Sequence, residues 1–193
     1  MKLILASASP RRAELLRSLR LQFDVLPTGV DERDEHPSSF HDLAIHNAQA
    51  KAHDVAPKHP NALILGADTI VVLGNEVFGK PRDLGDARRM LRSLSGRSHV
   101  VITGVCLICH AENRERVFAV ETRVQFHPLT EADIEQYIDA VHVLDKAGAY
   151  AIQEGPAIVA GIEGSYSNVI GLPLERLTAE LREFGICTEP ERH

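Results

Sequence analysis

The sequence predicts an α/β fold: a mixed, twisted sheet flanked by helices. Two observations predict it. Short apolar runs of strand character alternate with helical periodicities along most of the chain, the pattern of strands covered by helices. Two β-rich runs, Val100 to Ile108 and Val117 to Phe126, also follow one another without a helix between them. They read as a hairpin, which makes the sheet mixed rather than purely parallel. At 193 residues the chain suits a single domain over 1–193, with room for two lobes and a cleft between them.

Residues 2–6 read as a buried strand, followed by a helix over roughly 10–20 with Leu15, Leu16 and Leu19 on one face. Ser9 is a good N-cap, and Pro10 fits the first helical position, where its missing N–H costs nothing. Phe23 to Leu26 looks like a second strand, closed by Pro27-Thr-Gly29. An acidic loop from Asp31 to Ser38 leads into a helix from about Ser39 to Val55, which Pro57 and Pro60 end. Leu63 to Leu73 is a long strand-like run, and Gly74-Asn75 turns it into Val77-Phe78. Asp83 can cap a helix carrying Ala87, Met90, Leu91 and Leu94, with Ser95-Gly96 as its stop. The polar stretch Ala111 to Arg116 joins the hairpin, and Thr130-Glu-Ala-Asp133 opens a further helix as a capping box with Asp in place of Glu. After a Gly-rich region from Gly148 to Gly171, Pro173 starts a final helix to about Phe184.

Composition narrows the function classes. A hydrophobic content of 44% and a charged content of 25% are those of an ordinary soluble globule. The net charge of −6 argues against a generic nucleic-acid surface, so anion binding must come from local clusters. No run approaches the roughly 18 apolar residues of a membrane span. Met1 to Ala8 superficially resembles a secretory signal, but its apolar core is far shorter than the about 7–15 residues a signal needs. Three cysteines, an odd count, point to a reducing compartment and hence to the cytoplasm.

The most telling segment is Ser7-Ala-Ser-Pro-Arg-Arg12. Arg11 and Arg12 sit in a first helical turn, the end where the helix dipole disfavours cations. Free backbone N–H groups and two guanidinium forks at one helix start suit a phosphate; the alternative is a solvated helix start. Asp68 and Thr69 interrupt the apolar run Leu63 to Leu73. A carboxylate there is costly unless paired, hydrogen-bonded or holding a metal, the alternative being a cap on a local turn. Gly79-Lys-Pro-Arg-Asp83 sets Lys80 and Arg82 beside a tight turn, where a lysine can act as a mobile charge toward phosphate or simply face water. Lys51, on a predicted helix, and Asp145-Lys146 have the same standing. Asp31 and Glu32, with Glu35 nearby, offer hard oxygen ligands for a cation such as Mg²⁺, or a solvated acidic loop.

Cys106-Leu-Ile-Cys-His110 has the spacing of a haem attachment. It lies in a strand-like run, where residues three apart point to opposite faces, so both cysteines read as core. The ten histidines are dispersed, and no histidine metal site is expected. No Walker loop, dinucleotide fingerprint or nucleophile elbow occurs, so any phosphate site is of another kind.

Six blocks in order along the chain, Ser7-Ala-Ser-Pro-Arg-Arg12, Gly66-Ala-Asp-Thr69, Gly79-Lys-Pro-Arg-Asp83, Ser95-Gly96, Asp145-Lys-Ala-Gly-Ala-Tyr150 and Ile162-Glu-Gly-Ser-Tyr166 with Gly171-Leu-Pro173, resemble the Maf family of nucleotide pyrophosphatases. The resemblance runs from near residue 3 to near 185. It implies hydrolysis of a nucleoside triphosphate to the monophosphate and pyrophosphate, assisted by a divalent cation such as Mg²⁺ or Mn²⁺. It further implies Asp68 as general base, also touching the metal, and Glu32 as a metal or water ligand. Ser7, Arg12, Lys51 and Lys80 fall on positions associated with the phosphates, and Arg11, Thr69 and Gln153 on those linked to base choice. Arg11, Thr69 and Gly148-Ala-Tyr-Ala-Ile-Gln153 resemble the branch acting on dTTP and UTP. A glutamine amide complements the imide edge of a pyrimidine with one donor and one acceptor. Ala151, where that branch often has glycine, and Glu154-Gly155 depart from the pattern beside Gln153. A homodimer is implied as well. Two readings compete: a nucleotide-binding cell-division regulator without catalysis, and a pyrophosphatase preferring purines or 7-methylguanine.

Overall fold

The computed structural model describes residues 1–33 and 38–187, so Glu35 and His36 of the predicted acidic loop lie outside the described residues. Strands β1 (Lys2–Ala6), β2 (Phe23–Val25), β3 (Ala62–Leu73), β4 (Glu76–Phe78), β5 (Ser98–Cys109), β6 (Arg114–Phe126) and β7 (Val159–Glu163) form one seven-stranded sheet. Its order is β2-β1-β3-β5-β6-β7, with β4 paired to β3. β1 runs parallel to β2 and to β3, with Ile4 opposite Ile64 and Ala6 opposite Gly66. β3–β4 and β6–β7 are antiparallel. The sheet is mixed, as the sequence predicts.

Among the described residues six α-helices accompany it: α1 (Pro10–Ser18), α2 (Phe40–Val55), α3 (Leu84–Leu94), α4 (Glu131–Ala140), α5 (Tyr166–Ile170) and α6 (Leu174–Glu183). The predicted caps form: Ser9 and Asp83 accept from the backbone N–H three residues on, and Thr130 and Asp133 make a reciprocal capping box. Ser39, where the sequence starts a helix, caps α2 in the same way. None of the helices is long and apolar enough to cross a membrane among the described residues.

The Gly-rich stretch 148–171 departs from the sequence reading, for it holds β7 and α5. Neither element has a local signal, and each exists through its partners. β7 pairs with β6 at Val124 and Gln125. In α5, Asn168 donates to Val101 O and Thr122 Oγ1, and its N–H is capped by Ser165 Oγ. The hairpin strands β5 and β6 are also longer than predicted, because pairing carries the ladder into the polar residues Arg114 to Arg116.

The chain falls into two compact units, one of Met1–Asp68, Thr103–Val120 and Gly171–His193, the other of Thr69–Ile102 and Glu121–Ile170. In the first unit, side chains alternate across the sheet with the strand period of two. Leu3, Leu5, Leu63 and Leu65 face a core with Leu16 of α1 and Leu177 and Leu181 of α6. Ile4, Ala6 and Ile64 face a second core with Ala48, Ala52 and Val55 of α2. Cys106 belongs to this second core and Cys109 to the first, so they point to opposite faces as predicted.

α2 lies very close to the sheet because two glycines face it. A Cβ on Gly104 would sit 2.3 Å from the Ala44 carbonyl, and one on Gly66 2.3 Å from Ala48 O. Backbone rather than a flexible side chain is in the way, so overpacking here must displace the helix. Gly104→Ala is therefore expected to cost roughly 1–3 kcal/mol in urea unfolding; an unchanged midpoint would show that α2 moves without cost.

In the second unit, Phe78, Met90, Leu91, Phe126 and Tyr137 anchor the core. α3 and α4 are joined by paired Arg88–Glu135 and Arg92–Glu131 contacts. His99 packs edge-on against Phe126 and Tyr150, and burial pulls its pKa down to about 4. It is a neutral core residue at physiological pH.

Candidate active site

Asp68 stands near the middle of β3 and is only 5% exposed, on the strand whose neighbours are otherwise apolar. Such a carboxylate needs partners, and α2 supplies them. Lys51 Nζ donates to Asp68 Oδ1 at 2.7 Å, and Asn47 Nδ2 donates to Oδ2 at 3.1 Å. Asn47 and Lys51 are four apart and share one helix face. The close approach of α2 at Gly66, two residues before Asp68, sets this distance.

Lys51 has three donors, and all find protein acceptors: Asp68 Oδ1, Glu32 Oε1 at 2.6 Å and Ala67 O at 3.2 Å. One ammonium thus holds two carboxylates together. Asn47 fixes the loop carrying Glu32 as well, since its Oδ1 accepts from Arg33 N and its Nδ2 donates to Arg33 O.

The first turn of α1 completes the cluster. Arg12 is buried, with Nε donating to Gly171 O at 3.0 Å and Nη1 to Ser7 Oγ at 3.1 Å. Ser7 Oγ also accepts from Ser9 N at 3.2 Å, which leaves the hydroxyl hydrogen as the group Ser7 can donate. Arg11, its neighbour, is half-buried.

Electrostatics follow from this packing. Burial alone would raise the Asp68 pKa, but Lys51, then Arg12, and the hydrogen bonds from Lys51 and Asn47 outweigh it. The carboxyl is held below its usual value and is ionised at neutral pH. Burial lowers the Arg12 pKa, opposed by Asp68 and Glu32 and reinforced by Arg11; a guanidinium starting so high stays charged. The Asp68 carboxylate has about four acceptor positions, and two are taken by Lys51 and Asn47. It retains capacity for a water or a cation.

Of the residues singled out from sequence, Ser7, Arg12, Glu32, Lys51 and Asp68 come together in the first unit, with Arg11 adjacent in the chain. Thr69, Lys80 and Gln153 belong to the second unit. Thr69 follows Asp68 on β3 and is half-buried, while Lys80, after β4, and Gln153 are exposed. The turn bearing Gln153 is anchored from both sides. Tyr137 OH accepts from Ala151 N and donates to Ala151 O, each at 3.0 Å. Buried Lys146 pairs with Asp145 and Glu154. Arg82, grouped with Lys80 in the sequence, pairs with Asp86 instead. Sequence reasoning missed Asn47 and the Gly171 carbonyl. The signal for Asn47 is a polar residue one turn before Lys51 on a buried face; Gly171 offers only backbone and has none.

The residues 2–184 match the family described as Maf-like protein. A dTTP/UTP pyrophosphatase of Carboxydothermus hydrogenoformans is 47% identical over 186 residues, covering 96% of this chain and 100% of the relative. One of Anaeromyxobacter dehalogenans is 49% identical, covering 95% and 94%, and one of Myxococcus xanthus 48%, covering 95% and 93%. Among solved structures, the Staphylococcus aureus Ham1 protein superposes with a TM-score of 0.55 at 13% identity, covering 95% of this chain and 100% of that one; this is a likeness of fold. A buried Asp68–Lys51 pair joined to the exposed Glu32, beside an arginine-bearing helix start, on a chain matched over residues 2–184, places this protein in the Maf family.

Proposed function

We propose that this protein is a nucleoside triphosphate pyrophosphatase that hydrolyses dTTP and UTP to the monophosphate and pyrophosphate with a divalent cation. The observation that carries the reading is Asp68: a buried carboxylate kept ionised by Lys51, Arg12 and Asn47, and tied through Lys51 to Glu32. The names of the related proteins support the substrate.

The residues fit a hard cation. Asp68 and Glu32 already converge on one positive charge, the Lys51 ammonium, and their remaining oxygens are the ligand type that Mg²⁺ or Mn²⁺ takes. Such an ion, when bound, neutralises phosphate charge and makes a coordinated water more acidic. In this reading Asp68 orients the attacking water and receives its proton. A carboxylate with a depressed pKa is a weak base, so orientation is its larger share. Ser7, Arg12, Lys51 and Lys80 act on the phosphates. Because the three donors of Lys51 are engaged, it contributes by field and by setting Asp68 and Glu32, unless a phosphate oxygen displaces one partner. Arg11, Thr69 and Gln153 select the base, Gln153 from a turn already ordered by Tyr137 and Lys146. Phosphoryl transfer needs such positioning and charge stabilisation more than covalent help.

The two units act as one domain in this proposal, in a cytoplasmic homodimer. A regulator that only bound nucleotide would have no use for a base, and Asp68 would be a buried charge without a task. Purified protein with Mg²⁺ or Mn²⁺ is expected to release pyrophosphate from dTTP and UTP faster than from ITP or 7-methyl-GTP. No turnover of any triphosphate would sink the reading; preference for ITP or 7-methyl-GTP would overturn the base assignment alone.

A further inference from the structure

His53 of α2, Cys106 of β5 and Glu115 of β6 bring Nε2, Sγ and a carboxylate oxygen within 4.8 Å of one another. They are well separated in sequence, His53 and Glu115 by 62 positions, so no spacing motif shows them. Glu115 Oε1 is the focus. It lies 3.0 Å from His53 Nε2, accepts from Cys106 Sγ at 3.3 Å, and accepts from Gln49 Nε2 at 2.9 Å. None of these side chains belongs to the candidate active site. The histidine dispersion and the Cys106-x-x-Cys109 spacing both argued against a metal here. Cys109 is not one of the three converging donors, and it packs in the other core. The fold supplies different partners for Cys106.

We propose that His53, Cys106 and Glu115 form a binding site for a thiophilic divalent cation, with zinc the best match. Imidazole, thiolate and carboxylate are the three donor types zinc takes, at about 2.0–2.3 Å, which places ligand atoms about 3.3–3.8 Å apart around a tetrahedral ion. The two separations at Glu115 Oε1, 3.0 Å to His53 Nε2 and 3.3 Å to Cys106 Sγ, are already near this. One thiolate and one carboxylate neutralise a 2+ ion, with His53 neutral, so the set also balances in charge. Binding forms the S–metal, N–metal and O–metal bonds and releases the Cys106 Sγ proton to solvent. Gln49 keeps its hydrogen bond to Glu115 and orients that ligand from outside the coordination shell.

Access is present too. A cavity of about 360 Å³ is lined by His53 and Glu115 together with Cys109, His110, Asn113 and Arg114, while Cys106 is fully buried and does not line it. His53 and Glu115 are exposed and open to this cavity, so an ion meets these two ligands first, and the fourth position is left to water. Bound there, it pins α2, the helix carrying Lys51 and Asn47, to β5 and β6. The site therefore stabilises the scaffold of the active site without touching substrate.

Cobalt substitution tests this on the full chain in a Cys187→Ser background, which removes the exposed thiol. Co²⁺ is expected to give a thiolate-to-cobalt charge-transfer band that Zn²⁺ displaces, and Zn²⁺ is expected to raise the Tm. Cys106→Ser should abolish the band. His53→Ala, at an exposed position that should not impair folding, should weaken affinity at least about tenfold, since even outer-shell changes cost about 10–100-fold. Asp68→Asn should leave band and affinity unchanged, separating this site from the proposed catalytic cation. Absence of the band, its persistence in Cys106→Ser, or unchanged affinity in His53→Ala overturns the proposal.

Discussion

Asp68→Asn is expected to lower pyrophosphate release by about 10²–10⁴-fold, the range a positioned acid–base group contributes, while nucleotide binding persists. The substitution is nearly isosteric and keeps an oxygen for Lys51 to bond, so the fold around α2 should hold at the cost of the hydrogen bond from Asn47. The amide cannot accept a proton, and its NH₂ presents hydrogens where the carboxylate presented lone pairs. Water is then neither oriented nor deprotonated. Arg12 and Lys80, proposed to act on the phosphates, are untouched, so calorimetric titration with dTTP should still show binding. Full turnover in this variant would remove Asp68 from the mechanism.

Lys51→Met should have the largest effect on stability. Removing one partner of a buried pair leaves an uncompensated charge and typically costs roughly 3–5 kcal/mol; Lys51 and Asp68 side chains are 9% and 7% exposed. The same change frees Glu32 from its 2.6 Å contact. It should also alter pH dependence in a defined direction. In the native protein burial works to raise the Asp68 pKa, and the cations, Lys51 first, bring it below its usual value. A depressed carboxyl contributes stability above its unfolded pKa of about 3.9, and that contribution is lost as pH falls through the lower folded value. Without Lys51 the folded pKa rises, so the acid limb of activity should move to higher pH. The stability gap to the parent should narrow once Asp68 is protonated in both. Urea titrations at several pH values and a pH–rate profile check this. A variant of parental stability with an unmoved acid limb would show that Arg12 and Asn47 suffice for Asp68.

Much of the fold was legible because local physics spells it out. Ser9-Pro10, Asp83 and Thr130-x-x-Asp133 name their helix starts through capping chemistry, and the apolar runs name β1 and β3. β7 and α5 were not legible, being too short to form alone and held by β6, Val101 and Thr122. At the candidate site, Asp68 stood out as a charge in an apolar run and Arg12 as a cation at the wrong end of a dipole. Lys51 and Glu32 carried no such anomaly of their own. Asn47 was missed because a helical asparagine usually faces water, and only the close packing of α2 at Gly66 and Gly104 turns it inward.

The sequence by itself determined the order of β1 to β6 and of the longer helices, the family, and Asp68, Glu32, Lys51 and Arg12 as candidate site residues, because these depend on residue type and near neighbours. Only the tertiary structure decided who partners whom. Lys51 holds the carboxylates of Asp68 and Glu32, Asn47 links Asp68 to the Glu32 loop, and Cys106 meets His53 and Glu115 instead of Cys109 and His110. The reason is physical. Periodicity fixes which face a side chain occupies, but contacts between residues tens of positions apart are set by how closely helix and sheet can pack, and here two glycines set that distance.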